Sequence, residues 1–371
     1  MAESGLNMSR RIRRTPYTDR VEAHGVRGFS VVNHMLLPKA YAPSVEEDYW
    51  HLRTHVQIWD VAVQRQVQIT GPDAARLVQM MTPRDIRGAH VGQCLYVPLI
   101  DEHAGMLNDP VLLRLAGDKF WLSIADSDIL LWAKGLAVGM GLDVDITEPD
   151  VSPLAIQGPK AVALMSDLFG PAIGALGHFE YGVFDVLGTK QVIARSGYSK
   201  QGGYEIYLEG GHLGADLWDL IWQAGQGYEI APGCPNLIER IEGGLMSYGN
   251  EFTRANNPLE CGFAPLCHLG SEVDYIGREA LRAIAADGPV QMLRGIKFGA
   301  GRTPPCGKPF PVTARNGQPI GQITSGIFSP RLDCNVGMSM IAAGHWDIGT
   351  ELLVHTPDGI TREGVIAALP F

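Results

Sequence analysis

The chain has 371 residues, of which 46% are apolar and 19% charged, and its formal net charge at neutral pH is −10. This is the balance of a folded globular protein with room for two or three domains, and it excludes a disordered chain. The acidic balance argues against broad nucleic-acid binding.

In chain order, the first feature is the basic cluster Arg10-Arg11-Ile12-Arg13-Arg14, which reads as a solvated arm or a source of local ion pairs. No apolar stretch follows these charges, so the N-terminus does not read as a secretory signal. His51 and His55 stand at helical i, i+4 spacing but lack the Glu of a zinc-protease motif, and read as a surface or partly buried pair. Val67 and Ile69 alternate within a strand, and after Gly71-Pro72-Asp73 a helix is expected through Ala74, Leu77, Val78 and Met81. Pro72 suits the first turn of that helix. The same order recurs at Ala155-Ile156-Gln157-Gly158-Pro159 with Ala161, Leu164 and Met165, which hints at a duplicated α+β module. Between the two units lie a strand at Phe120–Ala125 and an apolar helix from Asp128 to Met140. Asn236 with Glu239 three residues on predicts a helix cap, followed by one buried stripe of Leu237, Ile238, Ile241, Leu245 and Tyr248.

Beyond about residue 285 short strands and turns take over. Asn316-Gly317, between Pro311-Val312-Thr313 and Ile320–Ile323, predicts a hairpin, and the runs Glu351–Thr356 and Gly364–Leu369 continue the pattern. The fold class expected is therefore α+β: a body over residues 1–285, in two subdomains discontinuous in sequence, then a small antiparallel β-domain over 286–371. The six cysteines are scattered without a Cys-x-x-Cys pair, which favours reduced thiols in the cytoplasm over disulfides or a zinc site, and no metal is expected. No run approaches the roughly 18 apolar residues of a membrane span.

Phosphate-loop, dinucleotide and nucleophile-elbow motifs are absent from the sequence. Two segments carry candidate chemistry. Strand-like Tyr96–Ile100 leads through a turn to Asn108-Asp109, an amide and a carboxylate that either orient an amine and carry a proton or simply start a strand. The run Arg195–Tyr207 packs three glycines and three tyrosines around Glu205. In a strand Tyr204 and Ile206 share one face, and Glu205 and Tyr207 share the other. A carboxylate and a phenol on one face beside a glycine-rich turn mark either a small-molecule site or a hairpin with a solvated Glu.

Taken together these segments resemble the glycine-cleavage T-protein family, the tetrahydrofolate-dependent aminomethyltransferases. The matching residues are Asp60-Val61, Tyr96, Gly105-Met106-Leu107-Asn108-Asp109, Ile156-Gln157-Gly158-Pro159, Gly197-Tyr198, Gly203–Ile206, Arg240-Ile241-Glu242-Gly243, Ile323–Gly326 and Phe328-Ser329-Pro330, in family order. Within the family the likeness runs to the branch that demethylates dimethylsulfoniopropionate, through Asn33–Pro38, Trp59–Val63, Leu107–Pro110, Ser123–Asp128, Ser199–Gly203 and Gly233–Asn236. Aminomethyltransferases usually carry Asp-Asp where this chain has Asn108-Asp109, and lack the Ser199-Lys200-Gln201 signature.

The resemblance implies a three-domain ring around a folate pocket, with a C-terminal antiparallel β-barrel-like domain. It implies a pterin held by Glu205, with Tyr96 and Ser123 lining the cavity and Arg240 either meeting the folate tail or holding the fold. A methyl group would move from a small sulfonium to N5 of tetrahydrofolate, Asp109 taking the proton of N5 and Asn108 orienting the pterin. Tyr207 is the candidate aromatic contact for the sulfonium. The expected partners are thus a small-molecule substrate and folate, with neither nucleic acid nor membrane, and a homodimer stays open. So do an aminomethyltransferase acting on a lipoyl carrier, a demethylase for another methyl donor, and a folate-binding protein without catalysis.

Overall fold

The computed structural model describes residues 9–371. The chain forms two compact units. The first takes the residues up to Gln66 with Glu148–Gly197 and Gln201–Pro235, and the second takes Val67–Thr147, Tyr198–Lys200 and Asn236–Phe371.

The first unit is built on a six-stranded sheet in the order Tyr181–Val186, Thr189–Ala194, Gly203–Glu209, Val151–Gln157, Val56–Asp60, Ile230–Gly233. Every pairing in this sheet is antiparallel except the last, between Ile230–Gly233 and Val56–Asp60. Alternation sorts its side chains into two faces. Val56, Ile58, Leu154, Ile156, Ile193, Tyr204, Ile206 and Leu208 form a core with Leu164, Met165, Leu217, Trp218 and Ile221 of helices Ala161–Phe169 and Gly214–Gly225. Each large apolar side chain buried there contributes about 1.5–3 kcal/mol. Gln57, Trp59, Gln157, Glu205 and Tyr207 occupy the opposite face, so the predicted split of Tyr204 and Ile206 from Glu205 and Tyr207 is found.

The second unit holds a five-stranded sheet in the order Asp145–Thr147, Gln66–Thr70, Lys119–Ser123, Val111–Ala116, Cys94–Tyr96. Helices Ala74–Met80 and Ile129–Met140 pack on it through Leu77, Val78, Ile129 and Ala133. The expected strand through Tyr96–Ile100 breaks at Val97-Pro98. Leu99–Ile100 instead pairs with Met106–Asn108.

The two Gly-Pro turns share one local form. Gly71 and Gly158 have φ of +123° and +126°, and Ala74–Met80 and Ala161–Phe169 follow them. Each proline sits in the turn ahead of its helix rather than at the first helical position.

The helix capped by Asn236, whose Oδ1 accepts from Ile238 N and Glu239 N, ends at Glu242, shorter than its apolar spacing predicts. Gly244 at φ +62° stops it: Gly244 N bonds Ile241 O and Leu245 N bonds Arg240 O, the paired 5→2 and 6→1 bonds of a Schellman ending. Leu245 and Tyr248 therefore lie beyond the helix, and Leu237 is exposed. The C-terminal strands form the barrel that the resemblance implies: Gln291–Phe298 pairs with both Cys334–Ala342 and Thr361–Ala367, closing six antiparallel strands. Ile296, Phe298, Phe310, Ile323, Ile341 and Val354 fill it. In the basic N-terminal cluster Arg14 makes local ion pairs with Asp19 and Glu22, while Arg13 pairs with Glu148, far along the chain.

Candidate functional site

Two groups of polar side chains, one in each unit, carry the sequence candidates. In the first unit Glu205 lies mid-strand, in register with Ala155 on one side and Ala194 on the other. Two small neighbours leave room beside a buried carboxylate that is 3% exposed. Ser196 Oγ donates to its Oε2 at 2.5 Å, and Gln64 and Tyr207 also hydrogen-bond to it. Burial pushes the pKa of Glu205 up, and these three bonds pull it part of the way back. All three partners are neutral. Tyr207 is fully buried, in register with Pro153 and Val192, and its side chain stands close enough to Glu205 to lower the carboxyl's pKa.

The glycines of the run have a mechanical reason. Gly197 and Gly203, at φ +150° and +148°, press against the Gln157 side chain, where a Cβ on either would collide with the amide. Gln157 Nε2 donates to Ser196 O at 3.1 Å, which holds Ser196 beside Glu205.

In the second unit the structure brings Tyr96, Asn108 and Asp109 together. The Tyr96 hydroxyl donates to Asp109 Oδ2 at 2.5 Å, while Asp109 Oδ1 is buried without a hydrogen-bond partner. Burial pushes the Asp109 carboxyl up to about 7; the Tyr96 bond lowers it and nearby Glu251 raises it. Burial, followed by the charge of Asp109, drives the Tyr96 hydroxyl well above its ordinary value. Asn108 is fully buried and its amide is saturated by protein groups. Nδ2 donates to Ala125 O at 3.0 Å and Ser127 Oγ at 2.8 Å, and Oδ1 accepts from Ala125 N at 2.9 Å and Asp109 N at 3.0 Å. Ser123 closes strand Lys119–Ser123, buried and in register with Val111, which itself pairs with Tyr96.

Arg240 sits in the same unit, and its guanidinium is engaged by the protein. Nη1 donates to Glu251 Oε2 at 2.7 Å and Leu245 O at 3.2 Å, and Nη2 donates to Ser325 Oγ at 2.6 Å. Ser325 in turn donates to Glu251 Oε1, and Ser247 N donates to Oε2 at 2.7 Å. This buried pair therefore ties the helix Leu237–Glu242 to the 245–251 turn and to barrel strand Pro319–Ser329. Tyr198 completes the group, its hydroxyl donating to Met246 O at 2.5 Å.

Sequence reasoning missed Ser196, Gln64, Ser127, Glu251 and Ser325. Ser196 was within reach of it, standing inside the run Arg195–Tyr207; Glu251 carries no local signal at all.

Residues 17–271 match the GCVT N-terminal domain family, and residues 293–371 match the glycine cleavage T-protein C-terminal barrel domain. The chain is 49% identical over 360 residues to a dimethylsulfoniopropionate demethylase of Ruegeria pomeroyi, spanning 96% of this chain and 98% of that one. It is 30% identical over 330 residues to an aminomethyltransferase of Symbiobacterium thermophilum, spanning 86% of each. Among solved structures, the glycine cleavage system aminomethyltransferase T from Bartonella henselae superposes with a TM-score of 0.85 at 24% identity, covering 97% of this chain and 98% of that one. That likeness establishes the α+β T-protein fold with its C-terminal barrel.

Proposed function

The chain belongs to the glycine-cleavage T-protein family, and from that premise we propose that it is a tetrahydrofolate-dependent demethylase of dimethylsulfoniopropionate. It moves a methyl group from the sulfonium to N5 of tetrahydrofolate, giving 3-(methylthio)propanoate and 5-methyltetrahydrofolate. The observation that carries the reading is the 49% identity to a demethylase along nearly the whole of both chains, against 30% to an aminomethyltransferase.

Tetrahydrofolate is a substrate here, the methyl acceptor. The N5 lone pair forms the new N–C bond as the C–S bond breaks, and the C–S electron pair stays on sulfur as a neutral thioether. N5 must then lose its proton. Asp109, with a carboxyl poised at about 7 and one oxygen unpartnered, suits that acceptance. Tyr96 holds its other oxygen. Glu205, hydrogen-bonded only by neutral groups among its named partners, suits the N–H donors of a pterin. In this reading Tyr207 braces Glu205 in the first unit; in the second, Asn108 sets the Asp109 backbone, Ser123 lines the folate contact and Arg240 supports the local fold. Alignment of the reacting atoms supplies roughly 7–11 kcal/mol of barrier reduction in favourable cases. Folate binding is assigned to the body over residues 1–285, with 286–371 as a supporting β-domain. Among the described residues no helix is long and apolar enough to cross a membrane. A cytoplasmic setting suits six cysteines that form no disulfide among the described residues.

The test is formation of 5-methyltetrahydrofolate from dimethylsulfoniopropionate, alongside calorimetric titration with tetrahydrofolate. Product formation that depends on both substrates supports the reading. Folate binding without product from any methyl donor would sink it, and product only from an aminomethyl-lipoyl carrier would make the chain an aminomethyltransferase.

A further inference from the structure

Ser127 lies just before helix Ile129–Met140, half-buried. Its hydroxyl sits between two groups of fixed polarity. Leu107 O can only accept, and takes the hydroxyl proton at 2.7 Å. Asn108 Nδ2 can only donate, and gives a proton to Ser127 Oγ at 2.8 Å. With its proton committed to Leu107, the serine cannot donate to an amide oxygen, so it admits only the Nδ2 end of Asn108.

The far end of the amide is selected in the same sense. Oδ1 accepts from Ala125 N at 2.9 Å and from Asp109 N at 3.0 Å. A flipped amide would set N–H groups against both of these donors. Ala125 O closes the arrangement by accepting from Asn108 Nδ2 at 3.0 Å and from Ser127 N at 2.9 Å. The loop Leu107–Asp109 and the turn Ala125–Ser127 are thus locked through one side-chain amide. One of its four bonds ends on the backbone of the residue whose carboxylate faces Tyr96.

We propose that Ser127 is a positioning residue for the methyl transfer: its hydroxyl fixes the Asn108 amide, and the amide holds Asp109 in place to take the proton from N5. The inference rests on the functional reading above and deepens it. Ser127 touches neither the reacting atoms nor, through its named bonds, Asp109 itself; its effect passes through Asn108. A misplacement of a reacting group by about 1 Å can cost on the order of 100-fold in rate, so the loss falls on turnover rather than on folate affinity.

The experiment compares the full-length wild type with S127A and S127T. It measures kcat for 5-methyltetrahydrofolate formation, KM for dimethylsulfoniopropionate, and Kd for tetrahydrofolate by calorimetry. S127A is expected to lower kcat about ten-fold or more with Kd within about two-fold, and S127T, which keeps the hydroxyl, to restore kcat. If S127A does not fold, S127C keeps the side-chain volume, loses the strong hydroxyl, and is read the same way. A kcat for S127A within about two-fold of wild type overturns the proposal, and so does a parallel loss of kcat and folate affinity. Wild-type turnover with an unaffected S127A removes only the positioning role. A wild type that binds folate and yields no product removes the functional reading and the positioning role together.

Discussion

Replacing Tyr96 with Phe isolates how Asp109 is tuned. The hydroxyl donates to Asp109 Oδ2 at 2.5 Å and is the one side-chain donor named for that carboxylate. Phenylalanine keeps the ring, which meets Phe263 edge-on with centroids 5.5 Å apart, and removes only the donor. A hydrogen bond to a charged group is worth about 1.5–3 kcal/mol, and about 1.4 kcal/mol corresponds to one pH unit. The bond stabilises the ionised form, so its loss favours the protonated one. Asp109, already poised at about 7, then accepts a proton only at higher pH. The acid limb of the pH–rate profile should rise by about one to two pH units, cutting the rate near neutrality roughly five- to fifty-fold and letting it recover toward about pH 9. The assay is the initial rate of 5-methyltetrahydrofolate formation across that range with both substrates saturating. A rate lowered equally at every pH would show the hydroxyl acting on substrate pose, and an unmoved limb would show that the limb does not belong to Asp109.

Glu205→Gln keeps the size and removes the charge, and should weaken tetrahydrofolate binding about 10- to 100-fold by calorimetry; unchanged affinity would take Glu205 out of the site. Arg240→Ala strips the partner from fully buried Glu251 and should cost about 3–5 kcal/mol of stability in urea unfolding, part of it recovered by adding Glu251→Gln. Lost folate binding at full stability would instead make Arg240 a ligand contact. Asp60, buried with Thr15 Oγ1 donating at 2.5 Å, is also pushed up to about 7. Its folded pKa exceeds the unfolded one, so its contribution is complete below about pH 4 and is lost as pH rises through about 7, by on the order of 4 kcal/mol. Wild type should therefore lose more urea resistance than Asp60→Asn between about pH 5 and pH 8, and an equal loss in both would contradict the assignment.

Where the fold was readable from sequence, the signal was local. Val67 and Ile69 alternate because one face of Gln66–Thr70 is buried, and Asn316-Gly317 turns the chain between Phe310–Thr313 and Pro319–Ser329 because Gly317 takes φ +87°. The errors came where a local pattern met a stop or a distant partner. The apolar spacing from Leu237 to Tyr248 ran through Gly243-Gly244, where the helix ends. Barrel closure was implied by the family resemblance alone, since it depends on Gln291–Phe298 finding Thr361–Ala367, a pairing that no turn signal encodes. The first unit likewise joins Val56–Asp60 to Val151–Gln157 across a long intervening stretch that folds into the second unit.

The candidate site shows the same limit at the level of single groups. Residue type reveals which hydrogen-bonding capacity is present, and only the fold reveals where it is spent. Asn108 was legible as an amide beside a carboxylate, yet its four bonds all go to the protein. Arg240 was legible as a cation, yet Glu251, Leu245 and Ser325 engage it. Tyr207 was legible as an aromatic on the face of Glu205, and its hydroxyl is turned to that carboxylate. Asp109 and Glu205 differ from these three. Each keeps a carboxylate buried at the expense of its charge, Asp109 with one oxygen unmatched and Glu205 among neutral donors. A buried group held in that state lowers the stability of the empty protein, and a ligand that supplies N–H donors or a proton relieves it. That leftover capacity, more than the residue types, separates the two carboxylates from the framework that holds them.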